Sequence, residues 1–325
     1  MILANPSPHR PVVCAGEILI DLIANPGDTP LTATTFAIRE GGAPMNAAIA
    51  LARLGSPVRF CGAVGDDQFG QRLRQLVERE GADASAIRVI PGQNTSIAYA
   101  WRDERGDGHF QLVRLADRML APADVEAAGI DQAAVLLVGS CALAESPSRE
   151  AILRAVEIAV ANDVPVVFDV NVRPTLWPGM DALRAACEPI LNAATVLKLS
   201  LDDAHHLWGV ETAVQAAESA SAYAPHILVV TDGGRGVHFA GSEPGQLRHY
   251  PVFPVEAVDP TGAGDAFTAA LISRLRETGW NPPSDDDIRF AMAAGALATT
   301  RQGALTALPT LAELDQFLSK HPGPA

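Results

Sequence analysis

Asp259-Pro260-Thr261-Gly262-Ala263-Gly264-Asp265-Ala266-Phe267 leads directly into an apolar stretch with helical spacing, about Ala263 to Thr278. Gly262 and Gly264 carry no Cβ, so the main chain can come close to a ligand. Amides that open a helix point outward without intrahelical partners, and the helix dipole favours an anion there. Asp265 is a poor choice for simply holding a phosphate, because its charge repels one. It suits a general base beside a phosphoryl group in transfer. There it accepts the proton of an attacking hydroxyl while the backbone amides stabilise the charge on the γ-phosphate. The plain alternative is an Asp that stabilises a helix N-terminus, worth about 0.3–1 kcal/mol. A dinucleotide fingerprint is a weak reading, since the third position is Phe267 and the run lies far from the first strand. No G-x-x-x-x-G-K-[ST] occurs, which excludes a P-loop.

Outward from this run, the chain alternates strand and helix. Val135–Val138, Val164–Val170, Val196–Leu199 and Ile227–Thr231 read as buried strands. Helical patterns separate them at Ser148–Asn162, Asp181–Asn192, Leu201–Trp208 and Ala213–Tyr223. Short connections between such elements predict a mostly parallel sheet covered on both faces. Val237–Phe239 and about Leu247–Val252 read as an antiparallel edge, and helices at Asp285–Thr300 and from Leu311 close the chain. Near the N-terminus, after a Pro-rich leader, Val12–Ile20 reads as one buried strand, Pro44–Leu54 as a helix ending at Gly55, and Val58–Val64 as a second strand. Asp66 is expected to cap a helix running to about Glu80. Thr95–Trp101 and His109–Leu115, joined by the turn Asp103 to Gly108, read as a protruding ribbon.

Composition sets the outer bounds. The 325 residues are 48% hydrophobic and 19% charged, ample for a large core. With 24 Lys plus Arg against 38 Asp plus Glu, the formal charge is −14, which disfavours nucleic-acid and anionic-membrane partners. Cys14, Cys61, Cys141 and Cys187 lie far apart with no CxxC pair, the pattern of buried thiols in a reducing compartment. Glu17 and Asp21 interrupt the apolar N-terminal stretch, and no run reaches the roughly 18 residues of a spanning helix. A cytoplasmic location is expected.

The Asp259–Phe267 run resembles the C-terminal signature of the PfkB (ribokinase-like) carbohydrate kinases. Gly41-Gly42-Ala43-Pro44-Met45-Asn46, continuing to Leu54-Gly55 and then Cys61-Gly62-Ala63-Val64-Gly65-Asp66-Asp67-Gln68-Phe69-Gly70, looks like the N-terminal signature of the same family. Both occur in the right order, and the resemblance spans Val12 to about Leu311. It implies a doubly wound, mostly parallel α/β sheet with a small β-sheet lid, in one domain over residues 1–325. The lid is expected from about 22–40 and 94–116.

The resemblance also implies roles. Asp265 is the base, with Gly262, Ala263 and Gly264 as the anion hole. Gly41, Gly42 and Asn46 line the sugar pocket, and Asp21 accepts from sugar hydroxyls. Thr231-Asp232-Gly233-Gly234-Arg235-Gly236 resembles the nucleotide loop T-x-G-x-x-G, with Asp232 where an apolar residue is more usual. Thr231, Gly233, Gly234 and Gly236 are therefore assigned to ATP, together with Lys198 and Ser200. Asp203 stands where the family carries a longer Glu near Mg²⁺, so contact through water is expected. A monovalent cation such as K⁺ is implied near Asp259 and Thr261 and the Ala298–Gly303 loop.

Two stretches bear on the acceptor. Phe168-Asp169-Val170-Asn171-Val172-Arg173-Pro174-Thr175-Leu176-Trp177 resembles the D-x-N-x-R-x-x-L-W element of fructokinases and 2-keto-3-deoxygluconate kinases. Asn171 and Arg173 then face the crevice, the alternative for Arg173 being an ion pair with Asp169 or with the sheet edge. The ribbon, with Tyr99 and Trp101 as substrate contacts and Arg114 before Ala116-Asp117, looks like the lid of bacterial fructokinases, which often also forms dimers. The expectation is an ATP- and Mg²⁺-dependent fructokinase making fructose 6-phosphate. Alternatives are a kinase for 2-keto-3-deoxygluconate, ribose or a nucleoside, and a relative that binds sugar without turnover.

Overall fold

Val12, Val13, Cys14 and Ala15 are all buried, and they alternate between two hydrophobic cores. A strand buried on both faces reads as a continuous apolar run, and it must lie within a sheet covered by helices on each side. The computed structural model describes residues 10–103, 108–241 and 247–321; the leader and turn residues 104–107 lie outside them.

The chain enters the large sheet with β1 (Val12–Ala15), then crosses to a separate small sheet for β2 (Leu19–Ala24) and β3 (Phe36–Gly41). It returns with β4 (Val58–Gly65) and β5 (Asp83–Ile90), and leaves again for β6 (Ile97–Arg102) and β7 (Gly108–Val113). β8 (Val135–Gly139), β9 (Val166–Asp169), β10 (Val196–Ser200), β11 (Ile227–Thr231), β12 (Val237–Ala240) and β13 (Arg248–Tyr250) complete the large sheet. Its order is β13-β12-β11-β10-β9-β8-β1-β4-β5. All its pairings are parallel except those of β12 with β11 and β13. The small sheet has the order β3-β2-β6-β7, with β2 and β6 parallel.

Sequence reading takes Val12–Ile20 as one strand, but the structure divides it. The chain turns at Gly16, whose φ is +153°, and changes sheets before Leu19. The cap near residue 67 also differs. Asp67 rather than Asp66 caps the helix Gln68–Arg79, accepting from the Gly70 amide at 2.8 Å and the Thr95 amide at 2.7 Å.

β1 is flanked by β8 on one side and β4 on the other, so successive strands wind away from it in opposite directions. Ligands of such sheets bind at the carboxyl ends of the strands where the order reverses. Those ends here supply Glu17 after β1, Cys141 after β8, and Asn171 and Arg173 after β9. The small sheet stands over them.

A buried polar knot anchors that sheet. Arg114, just past β7, donates to Asp117 Oδ2 at 2.8 Å and to the Cys141 carbonyl at 2.9 Å. Ser96, just before β6, donates to the other Asp117 oxygen and accepts from the Leu115 amide at 2.8 Å. The Arg114 and Asp117 side chains are 2% and 0% exposed, so removing one strands a desolvated charge. Arg114→Ala is expected to cost about 3–5 kcal/mol in urea unfolding. A loss under about 1 kcal/mol, the size of a surface pair, would mean that the knot does not hold the lid.

Candidate active site

A cavity of about 1040 Å³ lies between the strand ends of the large sheet and one face of the small sheet. Strand alternation decides which small-sheet residues face it. Asp21 pairs with Ala98, Ala98 with Leu112, and Ala100 with Phe110, and all five line the cavity.

Asp265 lies in the first turn of the helix Ala263–Glu277. The N-cap Gly262 has φ +83°, and a Cβ there would sit 3.0 Å from Ala304 Cα, so only glycine makes this turn without strain. Among the described residues, the amides of Gly262, Gly264 and Asp265 have no hydrogen-bond partner. The Ala263 amide, expected in the anion hole, instead donates to the Pro260 carbonyl at 3.2 Å. The turn before the helix takes that donor, which moves the open set one residue along. The Asp265 carboxylate accepts from Asn46 Nδ2 at 2.8 Å. Burial pushes its pKa up to about 6, against the Asn46 hydrogen bond and the charges of Lys198 and Arg173; the charge of Asp169 adds to the rise.

Lys198 comes from β10 and meets Asp169 of the neighbouring strand in register. Its Nζ donates to both Asp169 oxygens, at 2.9 and 3.1 Å, and Thr268 donates to Oδ2 at 2.7 Å. Burial opposes the ammonium charge, yet Asp169 holds its pKa above the usual lysine value. A Cβ on Gly264 would lie 3.1 Å from Lys198 Nζ, so a buried cation stands directly beside the open amides.

Asp21 sits across the cavity on β2. No donor among the described residues reaches its carboxylate. Desolvation pushes its pKa up to about 7, with Arg173 pulling the other way and Asp265 adding to the rise. Gly41 is explained by the same carboxylate: a Cβ there would fall 2.1 Å from Asp21 Oδ2. Gly42 has φ +115°, and its Cβ would lie 2.4 Å from the Glu17 carbonyl oxygen.

Asn171 and Arg173 both line the cavity, and Arg173 donates to Asn171 Oδ1 at 2.6 Å. The guanidinium lies over the Phe110 ring at 5.4 Å, joining floor to lid. It forms no ion pair with Asp169, which Lys198 has taken. Trp101 reaches the rim while its ring stacks on His109 at 5.4 Å. Tyr99 is not part of the lining: its position on β6 points to the sheet's other face, where its ring meets Phe36 at 5.7 Å. Ala98 and Ala100 face the cavity in its place.

The residues assigned to nucleotide and metal divide. Ser200, Asp203, Thr231, Gly233, Gly234 and Gly236 lie outside the cavity lining, at or just beyond the ends of β10 and β11. Asp203 is buried, and its two oxygens accept from the amides of Ser200 at 2.8 Å and Val172 at 2.7 Å. That is a cap and a loop clamp, since Ser200 in turn accepts from the Asp203 amide. Among the described residues, no group of three or more His, Cys, Asp or Glu could hold a metal. The segments implied for a monovalent cation do meet. Asp259 N donates to the Thr299 carbonyl at 3.0 Å, and Gly303 N to Asp259 Oδ2 at 2.9 Å; Thr261 N donates to Asp259 Oδ1 at 3.1 Å, and Ala298 is buried one residue before Thr299.

Two features escape sequence reading. Glu17 lines the cavity, and its signal is a charged residue after glycine inside an apolar run. Arg102, at the end of β6, reaches Asp259 at 3.3 Å across the cavity mouth, a contact no spacing could disclose.

The sequence from residue 10 to 311 matches the description "pfkB family carbohydrate kinase". This chain belongs to that family. Fructokinase-1 of Zea mays is 35% identical over 322 residues, covering 95% of this chain and 98% of that protein. A fructokinase of Klebsiella pneumoniae is 38% identical over 286 residues, 86% of this chain and 91% of that protein. The crystal structure of Xylella fastidiosa fructokinase with bound ATP superposes with a TM-score of 0.83 at 29% identity, covering 95% and 98% of the two chains. As a pfkB carbohydrate kinase, the chain is a phosphotransferase with a hydroxyl acceptor.

Gly41→Ala tests whether Asp21 belongs to the acceptor site of this kinase. The new methyl displaces the Asp21 carboxylate, so KM for the acceptor should rise about tenfold or more, a loss of about 1.4 kcal/mol, while Tm moves little. An unchanged KM would separate Asp21 from acceptor binding.

Proposed function

We propose that this chain is an ATP-dependent fructokinase, transferring the γ-phosphoryl group of ATP to the 6-hydroxyl of fructose. One observation carries the reading: Asp265 is a buried carboxylate, held by Asn46, beside open amides at a helix N-terminus. Asp265 takes the hydroxyl proton as the oxygen attacks phosphorus in line, and the bond to the β-phosphate oxygen breaks to leave ADP. The amides of Gly262, Gly264 and Asp265 and the nearby Lys198 ammonium balance charge on the transferred group. Mg²⁺, entering with the nucleotide, would supply charge neutralisation at the phosphates, and Asp203, which holds the adjoining backbone, would meet it through water. The Thr231–Gly236 turn then carries the nucleoside end of ATP, and K⁺ is assigned to carbonyls where the Asp259 loop meets Thr299–Gly303.

Asp21, Asn46 and Asn171 are assigned to fructose hydroxyls, under a roof of Ala98, Ala100, Phe110 and Leu112 that excludes water. A neutral sugar suits this roof better than an acidic one. The cations nearest it are already engaged, Arg102 with Asp259 and Arg173 with Asn171 and the Phe110 ring. The far face of the lid, where Leu22, Ile38 and Tyr99 lie in register, is the surface assigned to a homodimer. The kinase works as one domain with its lid, in the cytoplasm. No helix among the described residues is long and apolar enough to cross a membrane.

A coupled ADP-release assay with ATP and Mg²⁺ across fructose, 2-keto-3-deoxygluconate, ribose, glucose and adenosine tests the acceptor. Fructose should give the highest kcat/KM; preference for 2-keto-3-deoxygluconate would turn Arg173 into an acid-binding group and replace the sugar assignment. Silence on all five would favour a binding-only relative.

The base makes a separate prediction. Asp265 acts only when ionised, so kcat should fall as pH drops through about 6. Asp265→Asn should lower kcat by about a hundredfold or more while fructose binding by calorimetry persists. Wild-type turnover in that variant removes Asp265 from the chemistry.

A further inference from the structure

Among the described residues, the two buried side-chain oxygens without a hydrogen-bond partner are Glu17 Oε2 and Asn46 Oδ1. Both residues line the cavity, and the first turn of one helix connects them. Helix Ala43–Arg53 starts after Gly42, which has no side chain with which to cap it. The cap comes from a distant part of the chain: Glu17 Oε1 accepts the Ala43 amide at 3.3 Å. Gly42 packs so closely on the Glu17 backbone that no Cβ fits between them. One turn along, the Asn46 amide donates to the Gly42 carbonyl at 2.8 Å, and its side chain holds Asp265 at 2.8 Å.

A carboxylate is a costly choice at this place. Burial pushes the Glu17 pKa up to about 7, although a backbone hydrogen bond and the charges of Arg114 and Arg173 favour the ionised form. An apolar side chain would fill the space without that cost. What it could not do is accept a helix-opening amide and place negative charge at the positive end of the helix dipole.

We propose that Glu17 is a positioning residue for Asp265, acting through the amide end of helix Ala43–Arg53 and the Asn46 side chain. The proposal rests on the reading of Asp265 as the base. With Glu17 in place, the helix end cannot slide or fray, and Asn46 keeps the carboxylate aimed at the acceptor. Slack at that end costs proton-transfer geometry, which appears in kcat. The acceptor is also held by Asp21 and Asn171, which stand on other elements, so its KM changes less.

The test compares Glu17→Ala and Glu17→Gln in the full chain by steady-state kinetics and by hydrogen exchange of the amides at 43–46. Glu17→Ala should lower kcat by about ten- to a hundredfold, change the fructose KM by less than about threefold, and speed exchange at those amides. Glu17→Gln keeps an acceptor oxygen for Ala43 and should restore kcat to within about threefold of wild type, with wild-type exchange. Where Glu17→Ala does not fold, Glu17→Asp, one methylene too short to reach Ala43, replaces it with the same expected losses. A raised KM at unchanged kcat overturns the proposal in favour of direct acceptor contact. A lowered Tm with wild-type kcat overturns it in favour of a purely structural role, and so does a Gln variant as slow as the Ala variant. Absence of wild-type turnover on every acceptor would sink the kinase reading instead, whereas exchange at 43–46 reports on the Glu17 contact in either case.

Discussion

The hydrogen bond from Asn46 Nδ2 to Asp265 Oδ2 joins residues 219 positions apart and fixes the centre of the cavity. It requires two helices to lie close together, and the sequence arranges this with small side chains. Ala47, Ala50, Ala266, Ala269 and Ala270 share one core cluster between them. A hydrogen bond to a charged group contributes about 1.5–3 kcal/mol net, while an unpaired buried carboxylate is costlier still. Burial and the bond to Asn46 therefore oppose each other, and their balance leaves Asp265 near pH 6. It is ionised at neutral pH yet still basic enough to take a proton.

Charge elsewhere in the cavity follows the same economy of pairing. A chain of net charge −14 must gather cations locally if it is to meet a phosphate. Lys198 is kept charged in a buried place by Asp169, which Thr268 steadies from the Asp265 helix. Arg173 spans from the Asn171 side chain to the Phe110 ring. Each cation is held by a neighbour that also shapes the cavity, so electrostatics and geometry cannot be changed separately.

Much of this was legible in the residues. The Gly262–Asp265 turn, the Gly41–Asn46 turn and the alternation of strand and helix after residue 130 all appear as read. What sequence missed has physical causes. Periodicity reports that a run is buried but not in which sheet, so the change of sheets between Ala15 and Leu19 is invisible apart from Gly16 and Glu17. β5, at the sheet edge, buries only Ala84, Ile87 and Ile90 fully and includes Asp83, Ser85 and Arg88, which weakens its apolar signal. An aromatic ring is the natural guess for a sugar contact, yet the register of β6 against Asp21 turns Ala98 and Ala100 inward and Tyr99 outward. The Lys198–Asp169 pair depends on strand register alone.

The small sheet is clamped along one edge. β2 begins four residues beyond the end of β1, a span of about 13 Å at full extension, and β3 ends at Gly41, two residues before the helix Ala43–Arg53. β6 starts and β7 ends at the Ser96–Arg114–Asp117 knot. The opposite edge, near Ala24, Phe36 and Arg102, is tied by a half-exposed ion pair, Arg102 to Asp259 at 3.3 Å. A plate held this way bends like a cantilever, with displacement growing from the root to the tip. Asp21 sits near the root, whereas Arg102 and Trp101 sit at the tip, where the Arg102–Asp259 ion pair is the restraint. Under the proposed function, the carboxylate that meets the acceptor and the mouth that shuts out water would thus lie at different distances from one clamped root.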